Sequence, residues 1–165
     1  KEYIPSIEKG FRASLAKGPL GKFPIVGVRA FVNDGSYHDV DSSDMAFQTA
    51  ARNCFRETFL RMKPVLLEPI MRVEVECPVN FQGPVTGDLT SRRGIVMSTE
   101  YNGNDSVILS EVPLAETFGY STDLRSMTQG QGTFTMEFGK YRRVPSSIQE
   151  EVLEQRKKAE AVGAG

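Results

Sequence analysis

Across residues 71–77, Met71, Val73, Val75 and Cys77 alternate with Arg72, Glu74 and Glu76. A period of two over that length demands a strand with one face buried and the other in water. Such a strand cannot stand alone, since its ladder groups need partner strands and its apolar face needs helices. The residues that follow supply both. Phe81, Val85 and Leu89 mark a helix, with Arg92 and Arg93 in its last turn and Gly94 as its stop. Ile95, Met97, Thr99 and Tyr101 alternate into the turn Asn102-Gly103-Asn104-Asp105, and a strand through Val107, Ile108, Leu109 and Val112 to Pro113 completes a hairpin. A helix over residues 114–127, the break Gly130-Gln131-Gly132, and a strand in which Phe134, Met136 and Phe138 alternate with Thr135 and Glu137 end the series. The order βαββαβ predicts a ferredoxin-like unit over residues 64–144.

Different patterns flank it. Ile4, Ile7, Phe11 and Leu15 form a helical stripe, with Pro5 in the first turn and Gly18-Pro19 as the stop. Residues 24–33, rich in Val, Ile and Phe, predict a strand that closes in Asn33-Asp34-Gly35-Ser36. Residues 41–44 offer N-caps for a second helix whose buried stripe is Phe47, Ala51, Cys54, Phe55, Thr58, Phe59 and Met62. It should end near Lys63-Pro64. A capping box of Ser147 and Glu150 ahead of Val152 and Leu153 predicts a tail helix, with residues 159–165 fraying. Two helices and one strand cannot satisfy a sheet, so further strands are expected upstream of Lys1. The domain boundary falls near residues 63–68, and the charge changes there. Residues 1–63 carry ten basic and seven acidic side chains, residues 64–144 seven and ten, and residues 145–165 three and four.

Overall, twenty Lys and Arg stand against twenty-one Asp and Glu, a net charge of -1. No global field draws the chain to nucleic acid or membrane, so any RNA contact must be local. No apolar run is long enough to span a bilayer and no signal-peptide core is present, which points to the cytoplasm. Cys54 and Cys77 each sit among apolar neighbours and read as small buried thiols. The chain has no phosphate-binding glycine loop, zinc-type spacing or nucleophile elbow, which argues against an enzyme in its own right.

Two polar constellations remain. Asp34-Gly35-Ser36-Tyr37-His38-Asp39-Val40-Asp41 holds the only histidine. It can be a turn whose acids cap the next helix, a metal or proton-transfer site on Asp34, His38, Asp39 and Asp41, or an exposed tip whose Tyr37 and His38 stack on unpaired RNA bases. The third fits a loop tip better. Asp123-Leu124-Arg125-Ser126-Met127-Thr128-Gln129-Gly130-Gln131-Gly132 can be a plain helix cap or a close approach to a phosphate backbone. Arg92 and Arg93 can be helix-dipole partners or phosphate contacts, and Lys140, Arg142 and Arg143 a solvated strand end. A free-standing RNA-binding module, stacking bases on its sheet, would need exposed aromatics on the two central strands. Met71, Val73, Val75, Phe134, Met136 and Phe138 are assigned instead to the helix-covered core.

These constellations resemble the C-terminal part of the bacterial-type elongation factor G family. Residues 34–43 followed by Met45-Ala46-Phe47 are similar to the loop and helix of its domain IV. Val65-Leu66-Leu67-Glu68-Pro69-Ile70-Met71 is similar to the start of domain V, and Gly87-Asp88-Leu89 with Ser91-Arg92-Arg93-Gly94 to its first helix. Phe118-Gly119-Tyr120, Asp123-Leu124-Arg125-Ser126, Thr128-Gln129-Gly130 and Met136-Glu137-Phe138 are similar to its second helix and last strand.

The resemblance implies an α+β chain. A partial ribosomal S5 domain 2-like βαβ unit over residues 1–63 is followed by the ferredoxin-like domain over residues 64–144 and a tail helix over residues 145–165. It implies that Gly35, Ser36, Tyr37, His38 and Asp39 form a tip meeting tRNA and mRNA at the decoding site of the ribosome, and that Arg125, Ser126 and Gln129 contact large-subunit rRNA. No catalytic residue, metal or cofactor is expected in this segment. GTP, Mg and GTP hydrolysis belong to the parent protein, through a domain upstream of Lys1. The parent is expected to be a monomer that promotes GTP-dependent translocation, without DNA or membrane as partner. Gln131 stands where many family members carry a basic residue, which weakens a phosphate contact. Relatives specialised for ribosome recycling share this architecture. The intact Ser36-Tyr37-His38-Asp39-Val40-Asp41 tip speaks against the tetracycline-resistance branch.

Overall fold

The computed structural model describes residues 1–163, in two compact units. One comprises Lys1–Val65 with the chain from Pro145 onward; the other is Leu66–Val144.

In the first unit, α1 (Ile4–Ser14) packs on α2 (Asp44–Phe59). The closest approach is at Gly10, where any β-carbon would collide with the Gln48 backbone. Ser6 Oγ donates to Asp44 Oδ1 at 2.6 Å beside it. Phe11 meets Phe55 edge-on with ring centres 5.4 Å apart, and Phe55 and Phe59 are the buried aromatics of α2. So the contact face of α1 is centred on Ser6 and Gly10, while Ile4 of the expected stripe is exposed. Ser43 is the cap of α2, accepting from the Ala46 N–H at 3.1 Å. Cys54 is exposed, because the inward positions of α2 are set by Phe47, Ala51, Phe55 and Phe59 at a spacing of four, which leaves Cys54 one step outside them.

The strand expected over residues 24–33 does not form. Those residues run without ladder pairing, and Val26 and Phe31 are 72% and 75% exposed. Branched and aromatic composition favours an extended chain, but without a neighbouring strand there are no hydrogen bonds to make a sheet.

The tail helix α5 (Ser146–Gly163) begins with the Pro145 carbonyl accepting from the Gln149 N–H at 2.9 Å. Ser147 therefore lies inside the first turn and not at the cap. Lys22 pairs with Glu160 at 2.9 Å, and the Arg156 guanidinium stacks 4.4 Å from the Phe23 ring centre. The helix runs through 159–163 without fraying; Ala164 and Gly165 lie outside the described residues.

The second unit is a four-stranded antiparallel sheet of β1 (Leu67–Pro78), β2 (Ile95–Asn102), β3 (Asp105–Pro113) and β4 (Thr133–Arg143), in the order β2-β3-β1-β4. Helices α3 (Gln82–Ser91) and α4 (Tyr120–Met127) cover one face. Val73, Val75 and Cys77 of β1, Ile108 and Val112 of β3, Val85 and Leu89 of α3, and Tyr120 and Leu124 of α4 make the core. This is the ferredoxin-like arrangement of an α+β chain.

Three local expectations change. The helix expected over residues 114–127 starts only at Tyr120, since Gly119 takes φ +75 and a short turn, Leu114–Glu116, precedes it. The left-handed stop of α3 is Arg93, φ +58, and not Gly94, whose N–H instead closes back on the Leu89 carbonyl at 2.9 Å. The central strands are β1 and β3, so β4 is an edge. Met136 and Phe138 face the helix side opposite Val73 and Met71 yet are 41% and 55% exposed, because the short α4 covers only the Phe134 end, with Tyr120 on Phe134 at 5.1 Å.

Candidate functional site

Every residue from Phe31 to Asp41 is exposed, which leaves the tip loop free of core packing. The loop is nonetheless held locally. Asp34 Oδ1 accepts from the Gly35 N–H at 2.8 Å, the Ser42 hydroxyl accepts from the His38 N–H at 2.9 Å, and the His38 carbonyl accepts from the Ser42 N–H at 3.0 Å. The reciprocal pair closes a turn with His38 at its edge. Tyr37 lies on Tyr3 with ring centres 6.0 Å apart, and Tyr3 on Phe47 at 4.5 Å. These rings line an open cleft of about 230 Å³ with Ile7 and Val32. Tyr37 thus anchors the loop through one ring face, and its remaining 59% exposure, with the His38 ring, faces solvent.

Sequence spacing offered no sign of that stack, since Tyr3, Tyr37 and Phe47 lie on three separate segments. Among the described residues no three His, Cys, Asp or Glu side chains converge to hold a metal ion. The carboxylates of Asp34, Asp39 and Asp41 do not form a metal set around His38.

The second surface is the C-terminal end of α4, in the other unit. Arg125, Ser126 and Gln129 are exposed, and their side chains make no hydrogen bond among the described residues. The turn beneath them is tightly built. Thr128, with no exposed surface, donates its hydroxyl to the Leu124 carbonyl at 2.6 Å and accepts from the Gly132 N–H at 2.9 Å. The Gly130 N–H closes on the Arg125 carbonyl at 2.8 Å, which forces Gln129 to φ +53. An amide side chain in a left-handed position that Gly or Asn would fill more cheaply is a departure that functional sites tolerate.

Arg92 and Arg93 are not available to phosphate as the sequence allowed. Arg92 pairs with Asp88 and Asp123, and Arg93 holds both oxygens of Glu68 at 2.8 and 2.9 Å and Glu116 at 3.2 Å. The Glu68 hydrogen bonds are the main reason the Arg93 guanidinium is held above its ordinary value. Asp88 and Asp123 raise Arg92 likewise against the desolvation that opposes them. The spacing of Asp88 and Arg92 by four on one helix could have revealed the first pair; Glu68 and Asp123 are distant in sequence and could not. On the open sheet face Glu111 takes Lys140 at 3.0 Å and Arg142, so two cations read as a solvated strand end instead tie β4 across β1 to β3. Arg72, Glu74, Glu76, Thr135 and Glu137 alternate outward on the neighbouring strands, and no aromatic platform for bases is present among them.

The chain is thus of the α+β class, with one loop and one helix end presenting unpaired polar groups. The model for the elongation factor G C-terminus matches residues 65–152, and that for elongation factor G, domain IV, matches residues 1–63. Over 164 residues the chain is 63% identical to elongation factor G of Rhodopirellula baltica, covering 99% of this chain and 24% of that protein. It is 55% identical to elongation factor G 1 of Syntrophus aciditrophicus, over 97% of this chain and 24% of that one. A crystal structure of a Thermus thermophilus protein, 42% identical, superposes with a TM-score of 0.85 over 95% of this chain and 24% of its own. The chain belongs to the elongation factor G family, and it spans about a quarter of the length of the relatives it matches.

Proposed function

We propose that this segment binds the ribosome as part of an elongation factor G and promotes GTP-dependent translocation of tRNA and mRNA in the cytoplasm. The observation that carries the reading is the tip loop: exposed along its length, closed on itself by the His38–Ser42 pair and anchored by Tyr37, in a chain 63% identical to an elongation factor G. In this reading Gly35, Ser36, Tyr37, His38 and Asp39 meet tRNA and mRNA, and Arg125, Ser126 and Gln129 meet rRNA. Unpaired bases are gripped by stacking and by hydrogen bonds to their edges, which an imidazole at a loop edge supplies. An exposed guanidinium and amide beside a helix end supply phosphate and base-edge contacts. The segment does its work by placement and carries no covalent step. GTP and Mg are held elsewhere in the parent factor.

The test is His38→Ala in an elongation factor G carrying this segment, with GTP hydrolysis and tRNA movement followed by rapid kinetics on the same ribosomes. A surface substitution at an exposed loop costs the fold about half a kcal/mol or less. Hydrolysis should stay near normal while movement slows by about tenfold, the loss of one or two hydrogen bonds. His38→Asp should be slower still, because it carries negative charge toward RNA. Loss of hydrolysis in proportion to movement, or movement at the normal rate, would defeat the reading. Impaired subunit splitting with normal movement would instead place the parent among the recycling relatives.

A further inference from the structure

The exposed groups at the end of α4 are only as well placed as α4 itself. That helix has eight residues and no side-chain cap at its start. A helix of two turns does not hold its shape alone. Tyr120 and Leu124 bury one side of it. The Thr128 turn closes its far end, and the restraint on its start is Arg92, which follows the last residue of α3.

The Arg92 guanidinium donates to Asp88 on its own helix at 2.9 Å and to Asp123 on α4. It also donates to the carbonyl of Glu116 at 2.8 Å and reaches that of Phe118 at 3.4 Å, both just ahead of α4. Its Cζ lies over the Tyr120 ring, 5.0 Å from the ring centre. One planar fork therefore joins α3, the turn before α4 and α4 itself, a geometry that a lysine ammonium cannot copy. With its side chain only 14% exposed, little of Arg92 is left to meet a phosphate. Asp123 precedes Arg125 by two residues and Ser126 by three, so the brace ends within one turn of the exposed groups.

We infer that Arg92 is a positioning residue for the RNA-facing end of α4, fixing how Arg125, Ser126 and Gln129 are presented without touching RNA. The inference rests on the reading of those three residues as rRNA contacts. Its physical basis is preorganisation: a short helix already held in place loses less freedom on docking than one that rocks, and the surplus appears as affinity.

The experiment measures binding of an elongation factor G carrying this segment to purified 70S ribosomes over a range of KCl, alongside thermal unfolding. Arg92→Lys keeps the charge and loses the fork. Asp123→Asn strips the charge from the α4 end of the brace, leaving at most a neutral amide acceptor, at a half-exposed position that the fold tolerates, so it decides the matter if Arg92→Lys unfolds. Charge alone predicts no loss for the first and tighter binding for the second, since an acid near RNA has been removed. Positioning predicts the opposite sign: both should weaken binding by about threefold to tenfold at temperatures where the protein stays folded. Binding at wild-type strength or tighter in Asp123→Asn, or wild-type binding by folded Arg92→Lys, overturns the inference and leaves Arg92 a stability residue only. Arg125→Ala, run in parallel, should lower the log-salt slope by about one. If it changes neither affinity nor slope, the RNA reading of α4 falls and the positioning role with it, an outcome distinct from a failure at Arg92 alone.

Discussion

Two residues of the second unit, Arg93 and Gln129, sit in the left-handed region just past the ends of α3 and α4, with φ of +58 and +53. An L side chain there costs about 1–2 kcal/mol relative to the right-handed region. Each is followed by a glycine whose N–H closes the helix end, Gly94 on Leu89 and Gly130 on Arg125. The two residues differ in what the side chain does. Arg93 is tied to Glu68 and Glu116, and Gln129 makes no side-chain bond among the described residues. Gln129→Gly should therefore leave the fold unharmed, within about 1 kcal/mol and on the stabilising side, because the relieved strain outweighs the extra freedom of an unfolded glycine. Arg93→Gly relieves the same strain but strands Glu68 at a half-buried site, and should cost about 1–3 kcal/mol. Denaturant unfolding of both variants decides it. If Gln129→Gly is stable but binds ribosomes less well, the strain is there for the surface it presents; equal loss of stability in both would refute that contrast.

At the level of elements, alternation makes β1 and the hairpin legible in the sequence, because a half-buried strand writes its two faces into every second residue. The final strand is only half legible. Phe134, Met136 and Phe138 alternate as well as β1 does, but whether a helix lies over them depends on where α4 starts, and Gly119 delays that start by several residues. Residues 24–33 show the same limit from the other side, since composition announces an extended chain and only a partner makes it a strand. For the candidate site, the exposed loop and helix end could be read from turn residues, whereas Tyr3 under Tyr37 and Asp123 on Arg92 are contacts between distant segments that no local pattern encodes. The edge strand β4 is secured by another such contact. Glu111 is held below the ordinary carboxylate range by its hydrogen bond from Lys140 first and that from Arg142 next. A carboxylate depressed by folding stabilises above its unfolded value, near 4.3, and that contribution disappears as pH falls through the folded one. Stability measured from pH 7 downward should thus decline less steeply in Glu111→Gln than in the parent below about pH 4.5, with the variant already weaker at neutral pH. Parallel pH profiles would show that the clamp adds nothing.

On the scale of the whole molecule, the two units differ in how much apolar surface they close. Among the described residues, Phe55 and Phe59 are the buried hydrophobic side chains of the first unit, whereas the second buries twelve, from Leu66 to Val144, with Ile70, Val73, Val75, Val85, Leu89, Ile108, Val112 and Leu124 among them. At about 1.5–3 kcal/mol for each fully buried aliphatic or aromatic side chain, that difference outweighs what hydrogen bonding alone can supply to a two-helix packing. The second unit also begins and ends in contact with itself: the Val144 N–H donates to the Leu66 carbonyl at 2.9 Å, so the chain enters and leaves at neighbouring points of one sheet. All four strands and both covering helices lie between them. Residues 66–144 expressed alone should therefore unfold in a single cooperative transition, with amide exchange slowest in β1 and β3, the two central strands. In the full 165-residue chain, amides of α1 and α2 should exchange far faster than those of β1 and β3 under the same conditions. A gradual, uncooperative melt of residues 66–144, or protection of α1 and α2 equal to that of the central strands, would show that the stability of the second unit is not its own.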